Sequence, residues 1–357
     1  MPKADPTQPL VPGFAVLIEG EPLNEELRPY VTELVVDTDV LPPGMFELTL
    51  GGGESLETEV PWVDDRDLFD IGMKAEIRFG YGTDVEPLLM AEIVSLEPHF
   101  APDRLPRLTV RGYDRSHRLQ RARRTRTFLD QTDADIVSLV AEEAGLTPRV
   151  ADTGVVHEYV LQANQTDLEF LQERASAVGH ELFVQGEELV LRPAPEAEGE
   201  AMTLAMGQEL LEFRPRVSSA GQPTETSVRG WDAAGKEAIV GRGRESDLSA
   251  AMDGSSRAPA LVADAFGDAP WTLTDRPVFT PAEADAVAVA NLGAAAGALV
   301  TGDATCWGRA DLVAGVLVRI EGVGERFGGR YYVTSATHRY TPQEGYQTRF
   351  HIRRNAS

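Results

Sequence analysis

The 357-residue chain has a single cysteine, Cys306. One thiol cannot close an intramolecular disulfide or supply a cysteine-rich zinc site. It lies in DATCWGRADL without a His/Asp partner pattern, which fits a buried, inert thiol better than a nucleophile. Long apolar runs are also missing. The nearest, 284–300, is alanine-rich and broken by Asp285, Asn291, Gly293 and Gly297. The opening MPKADPTQPLVPGF lacks the charged-then-apolar layout of a secretory leader. The expectation is a protein made soluble in the cytoplasm, with no stable membrane anchor.

Positive charge is scarce. Lys+Arg number 33 against 57 Asp+Glu, a formal net charge of −24. Nucleic acid is bound by net positive faces, so it is not expected as the primary ligand. Catalytic signatures are absent too. His157–Glu158 has no second histidine to complete His-Glu-x-x-His, and the six histidines (99, 117, 157, 180, 338, 351) are scattered. There is no Gly-x-Ser-x-Gly. Asp64, Asp65, Asp67 and Asp70 lack the spacing and glycine of a calcium loop. Gly51–Gly53 is not followed by Gly-Lys-Ser/Thr, so it reads as a hairpin tip or loop. No enzyme, cofactor or metal site is expected.

What is present is turn chemistry: 33 glycines and 23 prolines, with an ordinary 42 % hydrophobic content. The length suits two or three domains. Residues 1–12, with four prolines, read as a flexible arm. Short strands with turns between them predict a first β-barrel over 13–118. Its clearest member alternates Ala75, Ile77, Phe79 and Tyr81 against Lys74, Glu76 and Arg78.

The period then changes. Thr132 caps a helix with Ile136, Leu139, Val140 and Ala144 on its apolar face, and Gly145 ends it. Thr166 and Glu169 form a capping box for a second helix, ended at Gly179. A hairpin turns at Gln185–Gly186. These elements make 119–205 an α/β insertion domain, with a polar loop at 193–201. Strands resume over 206–235 and 300–357 as a second β-barrel. Between them, 236–299 reads as an irregular insert followed by a helix that Thr280, Pro281 and Glu283 begin. The expected fold class is α+β, mainly β: two similar antiparallel β-barrel domains, an α/β insertion between them, and a helix-containing insert in the second.

Against the acidic background, 111–128 stands out. RGYDRSHRLQRARRTRTF holds seven arginines and one acid, a local charge of +6. Either this segment pairs with its own acidic neighbours, or it faces a partner at a junction. Arg111, Asp114, Arg115, Arg118, Arg121, Arg123, Arg124 and Arg126 are the candidate interface residues. TVRGYD (109–114) returns as SVRGWD (227–232), so Arg229, Gly230, Trp231 and Asp232 are a candidate structural repeat. The glycine would admit a close backbone, and the aspartate would hold a turn.

Several segments together, VRGYDRSHRLQR, RTRTF, the helix beginning at Asp133, and EYVLQANQTDLEFLQERA with GHELFV, resemble the phage late control protein D family. That family includes VgrG-like baseplate hubs of contractile tails and injection systems. The resemblance spans about 14–353 and is densest over 109–193. It implies two similar β-barrels with an α/β insertion, assembled as a homotrimer whose pseudo-sixfold ring joins a hexameric tail tube to a trimeric spike. The implied partners are other copies of the chain, a tail tube protein, a spike protein and other baseplate components, in an assembled particle. Longer members continue into a spike, which is here expected either to be a separate protein or to have been lost from the chain. A secreted glycan- or receptor-binding module and a cell-wall hydrolase are the alternatives.

Overall fold

Thirteen strands form one continuous sheet among the residues described by the computed structural model: 11–41, 43–51, 61–63, 65–102, 104–194, 199 and 201–357. From one edge the order runs Leu210–Val217, Val300–Trp307, Gly345–Arg354, Gly329–Thr341, Val31–Asp39, Met45–Leu50, Arg104–Tyr113, Asp84–Ala101, Lys74–Tyr81, Pro12–Ile18 and Glu21–Pro22. Leu317–Glu321 joins Gly329–Thr341, and Met202–Ala205 adds to it in parallel. The other pairs of this sheet are antiparallel, and the fold is mainly β as the sequence predicts.

The sheet wraps two separate cores. Phe14, Leu34, Phe46, Ile77, Phe79 and Val110 belong to the first. Leu204, Val300, Cys306, Ile320, Tyr331 and Phe350 belong to the second. The alternation in Lys74–Tyr81 is realised: Ala75, Ile77 and Phe79 are buried. The two halves join where Val31–Asp39 pairs with Gly329–Thr341, from Leu34 opposite Tyr340 to Asp39 opposite Ser335.

The hairpin of Gly329–Thr341 and Gly345–Arg354 serves both cores. Its base contributes Tyr331, Val333, Phe350 and Ile352 to the second. Its tip places Tyr346 in the first, with Tyr340 packed alongside. Burying such an aromatic contributes about 1.5–3 kcal/mol. Deep in this hairpin, His338 Nδ1 lies 2.8 Å from Tyr346 Oη. Burial pushes the imidazole down to about 3, so it stays neutral.

The insertion between the halves has its own core, including Phe128, Ile136, Val140, Phe170, Leu171 and Leu191. Helix α1 (Asp133–Glu143) and helix α2 (Asp167–Ala177) each begin on a full capping box, Thr132 with Asp135 and Thr166 with Glu169. Gly145 and Gly179, with φ of 70° and 73°, follow them in the left-handed region that favours glycine. On α1 the buried face is Ile136, Val137, Val140 and Ala141, whereas Leu139 points outward at 39 % exposure.

The segment expected to be irregular is ordered. It forms the strand Glu237–Gly243, helix α3 (Ala258–Phe266), the strand Trp271–Leu273 and helix α4 (Pro281–Gly297). Thr280 caps α4 by accepting from Glu283 N at 3.1 Å. Its glycine and alanine content is a packing device. A Cβ on Gly241 would lie 2.1 Å from the Ala284 carbonyl carbon, and one on Gly243 2.6 Å from Ala288 O. Helix backbone therefore rests on strand backbone, which larger residues would prevent.

Three strands depart from the division read in the sequence. Thr226–Asp232 pairs with Glu237–Gly243 and Trp271–Leu273 in a separate sheet, outside the large one. Met202–Ala205 belongs with the second core, not the insertion. Pro12 already begins a strand, and 1–10 of the expected arm lie outside the described residues. So do Gly52, Gly53, Asp64 and most of the loop expected at 193–201. Among the described residues, no helix is long and apolar enough to cross a membrane.

Candidate functional site

The arginine segment begins in the large sheet and ends in the insertion. Arg111 stands on Arg104–Tyr113, opposite Glu47 on one neighbouring strand and Ser95 on the other. Its Nε donates to Glu47 Oε2 at 2.7 Å, and Nη1 reaches Glu97. Gly112 follows because nothing larger fits: a Cβ there would lie 2.3 Å from the Phe46 ring and 2.6 Å from Glu92 O.

Asp114 turns the chain. It is buried, and its Oδ1 accepts from Ser116 N at 2.8 Å while Oδ2 accepts from Gly44 N at 2.6 Å. It thereby caps the short 3-10 helix Arg115–Gln120. Burial raises its carboxyl above the usual range even though these hydrogen bonds act the other way. From that helix, Arg118 grips Glu92 with two bonds of 2.8 and 2.6 Å, and His117 Nε2 adds a third at 2.8 Å. Burial alone would raise the Glu92 carboxyl, but Arg118 and His117 outweigh it and hold it below the ordinary range. Arg115 reaches Glu187 at 3.1 Å.

The last arginines lie on Arg123–Thr132. Arg126 Nη1 donates to Glu143 at 2.6 Å, Nη2 to Asp167 at 2.9 Å, and Nε to Gln162 at 2.8 Å. Arg124 meets the same two acids, at 2.9 and 3.4 Å. Gln162 closes the ring through Asp167 at 2.9 Å. Hydrogen bonding from Arg126 leads the causes that hold the Glu143 carboxyl low. Arg123 pairs with Glu169 at 3.0 Å.

Six of the seven arginines are therefore paired inside the chain. The local charge reversal is accounted for by acids from the first core's strands and from the insertion. Arg121 differs: it is exposed and has no ion pair among the described residues. It borders a recess with Gln120, Thr166 and Gln172. Sequence reasoning missed Glu92, Glu143 and Asp167 as the partners. The signal was faint: Asp167 opens the helix after Thr166, and Glu143 closes the helix before Gly145.

The repeated motif is alike locally and different globally. Gly230, like Gly112, has no room for a side chain, since a Cβ would lie 2.6 Å from Val278 Cγ2. Asp232 Oδ1 accepts from Ala234 N at 2.8 Å, as Asp114 does from Ser116 N. Asp114, however, is buried just past the end of a large-sheet strand, while Asp232 ends a strand of the small sheet and is half-buried. Arg229 and Trp231 face outward, Trp231 at 61 % exposure.

A second polar cluster lies between the insertion and α4. His157 and Asp133 are buried, with His157 Nε2 3.2 Å from Asp133 Oδ2 and Nδ1 3.5 Å from Glu283. Arg174 Nε donates to Asp133 at 2.6 Å. Burial would raise the Asp133 carboxyl, but His157 and Arg174 hold it low. Beside it is a cleft of about 250 Å³ lined by Tyr159, Leu161, Phe170, Arg276 and Phe279. No hydroxyl or thiol bonds to His157 among the described residues. The cluster acts as a clamp between elements. A third, Glu181 with Tyr332 at 2.5 Å and Arg353 at 3.1 Å, ties the insertion to the final hairpin. Among the described residues no group of three or more His, Cys, Asp or Glu is placed to hold a metal.

Comparison with known proteins adds to this geometry. Residues 9–342 match the family described as the Alg8 N-terminal domain. No curated protein matches the chain. Among solved structures, the fold is similar to the 43 kDa tail protein of prophage MuSo2 from Shewanella oneidensis, with a TM-score of 0.70 and 15 % identity over 96 % of this chain and 98 % of that one. A tail protein from Neisseria meningitidis MC58 follows, at 0.69 and 13 % identity over 96 % of both. The E. coli c3393 protein, described as a component of the type VI secretion system, gives 0.58 and 13 % identity over 94 % of this chain and 76 % of that one. The resemblance to tail and hub proteins read from the sequence holds at the level of fold.

Proposed function

This chain belongs to the Alg8 N-terminal domain family, and we propose that it is a structural hub of a phage-like tail or contractile injection machine. In this reading three copies assemble into a ring. Each copy supplies two β cores, so a threefold assembly presents six similar units. Such a ring can meet a hexameric tube on one side and a threefold spike on the other. The hub would be carried forward with tube and spike, and its work would be mechanical.

One observation carries the reading: a single sheet spans both cores and is pinned by one hairpin that belongs to both. A part loaded along its axis gains from having no hinge between its units. The chain also aligns with the prophage tail protein over nearly the whole length of each. Mass measurement of the purified protein, alone and with a tube protein, tests the proposal. Three times the 38.8 kDa chain mass supports it. A monomer that never joins a tube opposes it.

A further inference from the structure

The small sheet of Thr226–Asp232, Glu237–Gly243 and Trp271–Leu273 has one covered and one open face. Val228, Ile239, Gly241 and Gly243 turn inward, against α4. The alternate residues therefore turn outward. Arg229 sits opposite Val240, Trp231 opposite Ala238, and Ser227 opposite Arg242. Arg229, Trp231, Val240 and Arg242 are all exposed, Trp231 at 61 % and Val240 at 44 %.

Three features set this face apart. Among the described residues, the outward positions of Thr226–Asp232 and Glu237–Gly243 carry no carboxylate, in a chain with a formal charge of −24; Glu225, just before the first strand, lies 3.9 Å from Arg244. Its two arginines, diagonal neighbours across the strands, form no side-chain hydrogen bond or ion pair among the described residues. The arginines of 111–126 are, by contrast, nearly all matched within the chain. An exposed tryptophan beside Arg229, with Arg242 on the far side of that arginine, is also the composition of an interface centre, where Trp and Arg dominate binding.

We propose that this Arg229–Trp231–Arg242 face docks on an acidic surface of a second copy of the chain. The inference rests on the ring assembly proposed above and names the contact within it. Charge complementarity selects the occupant: the chain has acids in excess, and Glu21, Glu25 and Glu26 are an exposed group of them. The same charge excludes a self-paired contact, because two copies of this face would set arginines against arginines. The contact is then head-to-tail, and a head-to-tail contact gives a ring when the rotation between copies closes.

The test uses the full chain with Arg229→Glu and Arg242→Glu together, and separately Trp231→Ala. Light-scattering mass is followed across protein concentration and salt, with circular dichroism reporting the fold. Arg216→Glu, an exposed arginine elsewhere, is the charge control. The expected result is a folded variant whose assembly needs at least about tenfold more protein, a control unchanged, and wild-type assembly weakened by salt. If the wild type forms trimers and the face variants do too, this contact is wrong and the trimer stands. A wild type that is monomeric throughout overturns both. Equal loss in the control overturns the face, as does a wild type that binds a single-stranded oligonucleotide through the same residues. Should the double Glu variant not fold, Arg229→Gln with Arg242→Gln decides on the same terms.

Discussion

Phe79 and Tyr346 stack with ring centroids 4.6 Å apart and planes 17° from parallel. One comes from an early strand of the first core, the other from the tip of the final hairpin. The C-terminal strand thus completes the N-terminal core. Tyr346→Ala should cost about 3–5 kcal/mol, as large aromatic truncations do. Because the hairpin also serves the second core, amide exchange should rise in both halves together. Exchange confined to 12–113 would mean that the halves unfold independently.

Glu92 gives the fold an acid-sensitive joint. Its folded carboxyl is held low, so its contribution is fully present above the unfolded value of about 4.3 and is lost as pH falls through the lower folded value. Glu92→Gln should lower the urea midpoint at pH 7 and flatten its decline between pH 5 and 3. An unchanged acid slope in the variant would assign that slope to other groups, Asp133 first.

Arg126 should matter inside the insertion more than between subunits. Arg126→Ala removes bonds to Glu143, Gln162 and Asp167, and a loss of about 1–3 kcal/mol is expected. Arg121→Glu, which breaks no intrachain pair, should leave the melting temperature unchanged. A large drop on Arg121→Glu would show that its charge serves the fold.

The Cys306 thiol is fully buried, and burial pushes it up to about 12. It should resist a thiol reagent at pH 8 in the native protein and react at once in denaturant. Fast native labelling would mean that the second core opens readily.

Much of the fold was legible where local chemistry decides it. Thr132, Thr166 and Thr280 marked three helix starts, because a cap is a matter of a few adjacent residues. The strand at 74–81 was legible because one face is core. What could not be read depends on distant contacts. Gly241 and Gly243 look like a lack of pattern until α4 is seen resting on them. The placement of Thr226–Asp232 in its own sheet was hidden because Val-Arg-Gly-aromatic-Asp meets the same local needs in either sheet. Which acids the arginine segment meets was hidden for a related reason: Glu92, Glu143 and Asp167 pair with it from positions that only the folded chain brings close.

The central claim is that this chain builds a ring adapting threefold to sixfold symmetry. Electron microscopy of the purified protein mixed with its tube protein tests it most directly. The account predicts a threefold ring with six β units around an axis, seated on the end of a sixfold tube. A monomer or twofold dimer that leaves tube ends bare would contradict it.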